Sequence, residues 1–122
     1  ILKPNMILAG NQSKDKISNE EVSLKTLECL KNSVPNEVPG IAFLSGGQSE
    51  IEATENLNLI NKNNNTNFIM TYSFGRALQQ SALKVWSKNT KDTELTQNIF
   101  NHRANMCTLA AQGKWASELE NK

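Results

Sequence analysis

The sequence is short of most features that mark a specialised surface. It has almost no charge excess: thirteen Lys and Arg against twelve Asp and Glu leave a net charge of +1 over 122 residues. Nucleic-acid binding needs a basic face, so no nucleic-acid partner is expected. Long hydrophobic runs are also missing. The longest, residues 6–9 and 41–44, fall far short of the roughly 20 residues that span a bilayer, so no membrane insertion is expected. No charged segment followed by an apolar run opens the sequence, and no secretory signal is expected. Cysteine is scarce. Cys29 and Cys107 form no C-x-x-C pair, which predicts reduced, mostly buried thiols in a cytoplasmic protein. The single histidine, His102, has no second ligand at metal-binding spacing. It reads as a packing or interface residue, and no metal is expected.

Asparagine, by contrast, occurs seventeen times, with Asn63, Asn64 and Asn65 in a row. A solvated turn accounts for that cluster. The sequence starts at Ile1, without Met and already inside an apolar stretch. That start suggests a piece of a longer chain.

Periodicity orders the elements. Leu2 and Lys3 precede Pro4, which holds its predecessor extended, so Lys3 is expected at a strand end. Ser18-x-x-Glu21 is a capping-box pattern followed by apolar positions 22, 24, 27, 30 and 34. Residues 40–44 form a short apolar run between glycines, as in a strand buried on both faces. Ser49-x-x-Glu52 starts a second helix with Ala53, Leu57 and Ile60 as its stripe. Residues 68–72 give a third strand. A helix follows Gly75, and a last helix spans about 92–112 with Leu95, Ile99, His102, Met106 and Leu109 along one side. Glu50, Glu52 and Glu55 are expected to complement a helix dipole, and Trp86 and Trp115 to anchor packing.

The order β-α-β-α-β-α-α implies parallel strands joined by crossover helices, an α/β fold. The strand repeat suits a (β/α)₈ barrel, of which 122 residues hold only a part, since a full barrel needs about 250. A small open doubly wound sheet is the competing architecture, but the G-x-G-x-x-G fingerprint is absent. The expectation is therefore a partial (β/α)₈ TIM barrel in which residues 1–122 are the C-terminal portion of a single domain. Alone, such a piece would leave the barrel-interior face uncovered, with residues such as Phe43 or Ile69 in water.

The three strand ends share one rim, which carries Lys3, then Ser45-Gly46-Gly47, then Ser73, Gly75 and Arg76. Small residues leading into a helix N-terminus let backbone N–H groups approach an anion. Arg76 adds a guanidinium in the adjacent loop. Two ordinary tight turns would have the same sequence, but a paired anion site fits better with the arginine present. Lys3 is either a snorkelling surface lysine or a desolvated, nucleophilic amine.

Three longer stretches go further. Leu2-Lys3-Pro4-Asn5-Met6, Phe43-Leu44-Ser45-Gly46-Gly47-Gln48-Ser49-Glu50 and Ser73-Phe74-Gly75-Arg76-Ala77-Leu78-Gln79 closely resemble the class I fructose-1,6-bisphosphate aldolases, as do shorter matches along the rest of the sequence. The resemblance implies the last three βα units of a (β/α)₈ barrel plus a C-terminal helix. It implies Lys3 as the Schiff-base lysine, and Ser45, Gly46, Gly47, Ser73, Gly75 and Arg76 as ligands of a substrate phosphate. The implied reaction is reversible aldol cleavage of a phosphorylated sugar in glycolysis, needing no metal and no other cofactor because the iminium does the polarising. It further implies a cytoplasmic homotetramer able to engage cytoskeletal, actin-linked partners. The family's acid–base carboxylates lie on earlier strands and are not in this stretch. A phosphate-binding or scaffold module that makes no use of Lys3 is the alternative.

Overall fold

The computed structural model describes residues 1–121, and its elements follow the expected order. Helix α1 (Asn19–Ser33) begins where the Ser18 hydroxyl accepts the Glu21 N–H at 3.1 Å. It is followed by strand β1 (Gly40–Phe43), helix α2 (Glu50–Asn63), strand β2 (Ile69–Tyr72), and helices α3 (Arg76–Trp86) and α4 (Thr93–Ala111). A short 3₁₀ helix, Ser117–Asn121, which the periodicity did not foreshadow, closes the described chain. At α2 the capping box is complete: Glu52 N–H donates to the Ser49 hydroxyl, and the Ser49 N–H donates to the Glu52 carboxylate. Two orphan amides are thereby satisfied at the helix start.

Strands β1 and β2 pair in parallel, with Gly40 opposite Ile69 and Phe43 opposite Tyr72. The expected first strand contributes a single bridge, Leu2 to Ile41. Its backbone nonetheless runs alongside β1. The Leu2 N–H donates to the Gly40 carbonyl, and the Leu2 and Pro4 carbonyls accept from Ala42 and Leu44. Pro4 has no N–H to extend the ladder, which helps explain why so little of this stretch counts as strand.

Helices cover one face of the sheet. Ile41, Phe43 and Met70 point into a core with Ala53, Leu57 and Ile60 of α2, Leu27 and Leu30 of α1, and Met106, Cys107 and Ala110 of α4. The opposite face is open, so Ile69 is 75% exposed while Phe43 is 0% exposed. Expecting both in water was half wrong. Phe43 lies one step out of phase with Ala42 and faces the helices, because side chains alternate along a strand. For the same reason β1 is covered on one face only.

Helix stripes also shift. In α4 the buried line is Arg103, Met106, Cys107 and Ala110, whereas Leu95 is exposed and His102 half-buried. Trp115 is buried, but Trp86 is 47% exposed and anchors little. Of the two thiols, Cys107 is buried and Cys29 is exposed. Burial pushes the Cys107 thiol up, partly offset by the Thr54 hydrogen bond and the Arg103 charge.

Candidate functional site

The pairing of Leu2 with Ile41, and of Ile41 with Met70, puts Lys3 in register with Ala42 and Thr71. Strand alternation then sends Lys3 to the open sheet face, away from the helices. Lys3 is exposed there. Just beyond it, the Asn5 carboxamide oxygen accepts the Met6 N–H at 3.0 Å.

After β1 the chain turns through Ser45-Gly46-Gly47, with the Gln48 N–H donating to the Ser45 carbonyl at 3.1 Å. Gly46 and Gly47 have φ of 58° and 87°, a region that L side chains enter at a cost. Gly46 has a second constraint. A β-carbon there would collide with the Asn5 side-chain amide, whereas one at Gly47 would meet open space. The glycine thus lets the 45–47 turn lie against the residue that follows Lys3-Pro4. Ser45 is buried and Gly46 and Gly47 are exposed. Gln48 is buried behind them, donating to the Ser45 carbonyl at 2.9 Å and accepting from Asn56 at 2.7 Å. That pinning fixes the turn from inside.

After β2, the Ser73 N–H extends the ladder by donating to the Phe43 carbonyl at 2.8 Å. Gly75 is the N-cap of α3, and no side chain caps that end. An uncapped N-terminus keeps its first amides free to bind an anion. Ser73, Gly75 and Arg76 are all exposed.

The two loops meet. Gly47, Gln48, Arg76, Gln79, Gln80 and Leu83 line one cleft of about 230 Å³. A second cleft of about 440 Å³ lies on the other side of the glycine turn, where Gly46 and Gly47 face Asp15, Lys16 and Leu8. Gly47 is therefore the wall between two clefts. Lys3 lines neither of them.

Sequence reasoning missed a buried polar cluster behind this rim. Arg103 makes a bidentate contact with Glu120, Nη1 to Oε1 at 2.9 Å and Nη2 to Oε2 at 2.7 Å, and Nη1 also donates to the Thr54 hydroxyl at 3.2 Å. The Trp115 indole N–H reaches Glu120 at 2.8 Å, and His102 Nε2 lies 3.6 Å from it. Burial alone would raise the Glu120 carboxyl. The Arg103 and Trp115 hydrogen bonds, with the Arg103 and His102 charges, instead hold it below the usual glutamate range. Glu50, read from sequence as dipole complement, is 9% exposed and holds Ser81 of α3. The available signal was an arginine three and four residues before the core positions Met106 and Cys107.

Comparison with known proteins gives a consistent result. The family described as fructose-bisphosphate aldolase class-I (Glycolytic) matches residues 1–122. The chain is 43% identical to fructose-bisphosphate aldolase 2, chloroplastic, of Arabidopsis thaliana, over all of this chain and 30% of that protein. It is 44% identical to fructose-bisphosphate aldolase 2 of Caenorhabditis elegans, over 97% of this chain and 32% of the relative. Among solved structures, the fructose-bisphosphate aldolase of Plasmodium falciparum, crystallised in complex with TRAP and a small-molecule inhibitor, superposes with a TM-score of 0.90 at 40% identity. That match covers 95% of this chain and 33% of the other. The chain spans about a third of the length of the relatives it matches.

Proposed function

The chain belongs to the class I fructose-bisphosphate aldolase family, and from that membership we propose that it carries the Schiff-base lysine and a phosphate site for reversible aldol cleavage of fructose 1,6-bisphosphate. Lys3 is the nucleophile. Its neutral amine adds to the C2 ketone, and loss of water gives an iminium. When the C3–C4 bond breaks, its electron pair flows into the iminium nitrogen to form an enamine, and glyceraldehyde 3-phosphate departs. Protonation of the enamine and hydrolysis then release dihydroxyacetone phosphate and restore Lys3.

Ser45, Gly46 and Gly47 offer hydroxyl and backbone donors to a substrate phosphate, and Ser73, Gly75 and Arg76 complete its shell. Anchoring the phosphate holds C2 over the amine, so remote binding energy is used for orientation. The acid–base groups come from other strands of the barrel, and residues 1–122 are the C-terminal portion of that one domain. One observation carries this reading. Gly47 and Arg76, from consecutive strand-to-helix loops, line a single cleft beside an uncapped helix N-terminus, and Gly46 abuts the residue that follows Lys3-Pro4.

The working enzyme on this reading is a cytoplasmic homotetramer of glycolysis, open to cytoskeletal partners. The Plasmodium relative, crystallised with TRAP, supports a protein-binding role beside catalysis. The chemistry is tested by Lys3→Arg in the protein at its natural length. Arginine keeps the charge but cannot deprotonate, so turnover and borohydride trapping with dihydroxyacetone phosphate should vanish while inorganic phosphate still binds. Normal turnover in that variant removes Lys3 from the mechanism.

A further inference from the structure

A phosphate site divided between two loops depends on whatever holds the two following helices in register. Glu50 does this directly. It is the first residue of α2, three positions after Gly47, and its carboxylate is bound to Ser81, five positions after Arg76 on α3. Oε1 accepts the Ser81 backbone N–H at 2.9 Å, and Oε2 accepts the Ser81 hydroxyl in a short contact. The carboxylate is braced from behind. Arg103 Nε stands 3.9 Å from Oε2, Arg103 Nη1 donates to the Thr54 hydroxyl, and that hydroxyl donates to the Glu50 carbonyl at 2.7 Å. Complementing a helix dipole requires no burial and no partner on another helix. A carboxylate that is 9% exposed and saturated by donors from a second helix is a clamp.

We propose that Glu50 is a positioning residue for the reaction: by gripping Ser81 it sets the distance between the Gly47 turn and Arg76, and so the affinity for the substrate phosphate. The inference rests on reading those two loops as the phosphate site. A shift of one helix start against the other separates donors that must converge on a single phosphate, and small displacements of this kind are costly to binding and rate. Neither Glu50 nor Ser81 needs to touch substrate for this effect.

The test uses the protein at its natural length, with fructose 1,6-bisphosphate as substrate and inorganic phosphate as competitive inhibitor. Glu50→Gln should raise both KM and the phosphate inhibition constant by about tenfold while kcat stays within about twofold, the signature of lost uniform binding. Ser81→Ala, which removes only a hydroxyl and should fold, is expected to raise both constants about threefold. Ser81→Thr should restore them, and Glu50→Gln combined with Ser81→Ala should be no worse than Glu50→Gln alone. A purely structural role predicts lower melting temperatures with KM and phosphate inhibition unchanged, and that result overturns the proposal. Should Glu50→Gln fail to fold, the Ser81→Ala and Ser81→Thr pair decides alone. Arg76→Ala separates the two layers. If it leaves phosphate inhibition unchanged, the phosphate site itself is misassigned. If it weakens inhibition while Ser81→Ala does not, only the role of Glu50 falls.

Discussion

Gly46→Ala and Gly47→Ala are the same chemical change at adjacent positions, yet the structure assigns them different costs. Both residues have positive φ, 58° and 87°, so alanine at either pays roughly 1–2 kcal/mol for a left-handed backbone. At Gly47 the new methyl meets open space and the cost ends there. At Gly46 it would come within 2.9 Å of the Asn5 Cγ and Nδ2 atoms, so Asn5 must swing away and release the Met6 N–H it now accepts at 3.0 Å. That hydrogen bond is worth about 0.5–1.5 kcal/mol. Gly46→Ala should therefore destabilise by about 1 kcal/mol more than Gly47→Ala, read as the difference in urea-unfolding free energy at equal m-value. Steady-state kinetics give a second readout. Because Asn5 follows Lys3-Pro4, displacing it should lower kcat in Gly46→Ala and leave kcat of Gly47→Ala near the parent value. Equal stability losses, or a larger loss at Gly47, would refute the claim that Asn5 is what requires glycine at position 46.

Arg76→Ala should raise KM by about ten- to a hundredfold with little effect on thermal unfolding, since a guanidinium–phosphate contact is worth roughly 1.5–3 kcal/mol; an unchanged KM returns Arg76 to the solvated surface. Because the folded state holds the Glu120 carboxyl below its ordinary value, the unfolded chain binds that proton more readily. The resulting stability is present above about pH 4.3, the ordinary glutamate value, and is lost as pH falls through the folded value. Urea midpoints from pH 6 to about pH 3 should consequently fall further for the parent than for Glu120→Gln, and parallel curves would exclude the pair as an acid-sensitive element. Residues 1–122 expressed alone expose Ile69 and the unpaired edges of a short sheet, so they should aggregate or unfold without cooperativity and show no aldolase turnover. A sharp monomeric unfolding transition would contradict that expectation.

The helices were legible because their signals are local. Ser49 and Glu52 are three residues apart, and the cap they form needs nothing from the rest of the molecule. The rim was legible for a related reason: adjacent glycines at a strand end and an arginine at a helix start constrain the backbone wherever they occur. Phe43 and Arg103 were not legible, and both failures concern phase. A four-residue strand with apolar residues at every position gives no alternation to read, so only pairing with β2 and packing under α2 and α4 decide which face Phe43 takes. In α4 a stripe drawn through Leu95, Ile99 and His102 treats arginine as solvent-facing by type. The guanidinium is buried instead, because Glu120, Thr54 and Glu50 surround it from three other elements. Those partners are 17, 49 and 53 residues away in sequence, beyond the reach of any periodic pattern. The same distance accounts for Glu50. Its place at the first turn of α2 suggests a dipole role, and only the arrival of Ser81 turns it into a brace between helices. Where a charge is held by long-range partners, the sequence shows the charge and the fold supplies its meaning.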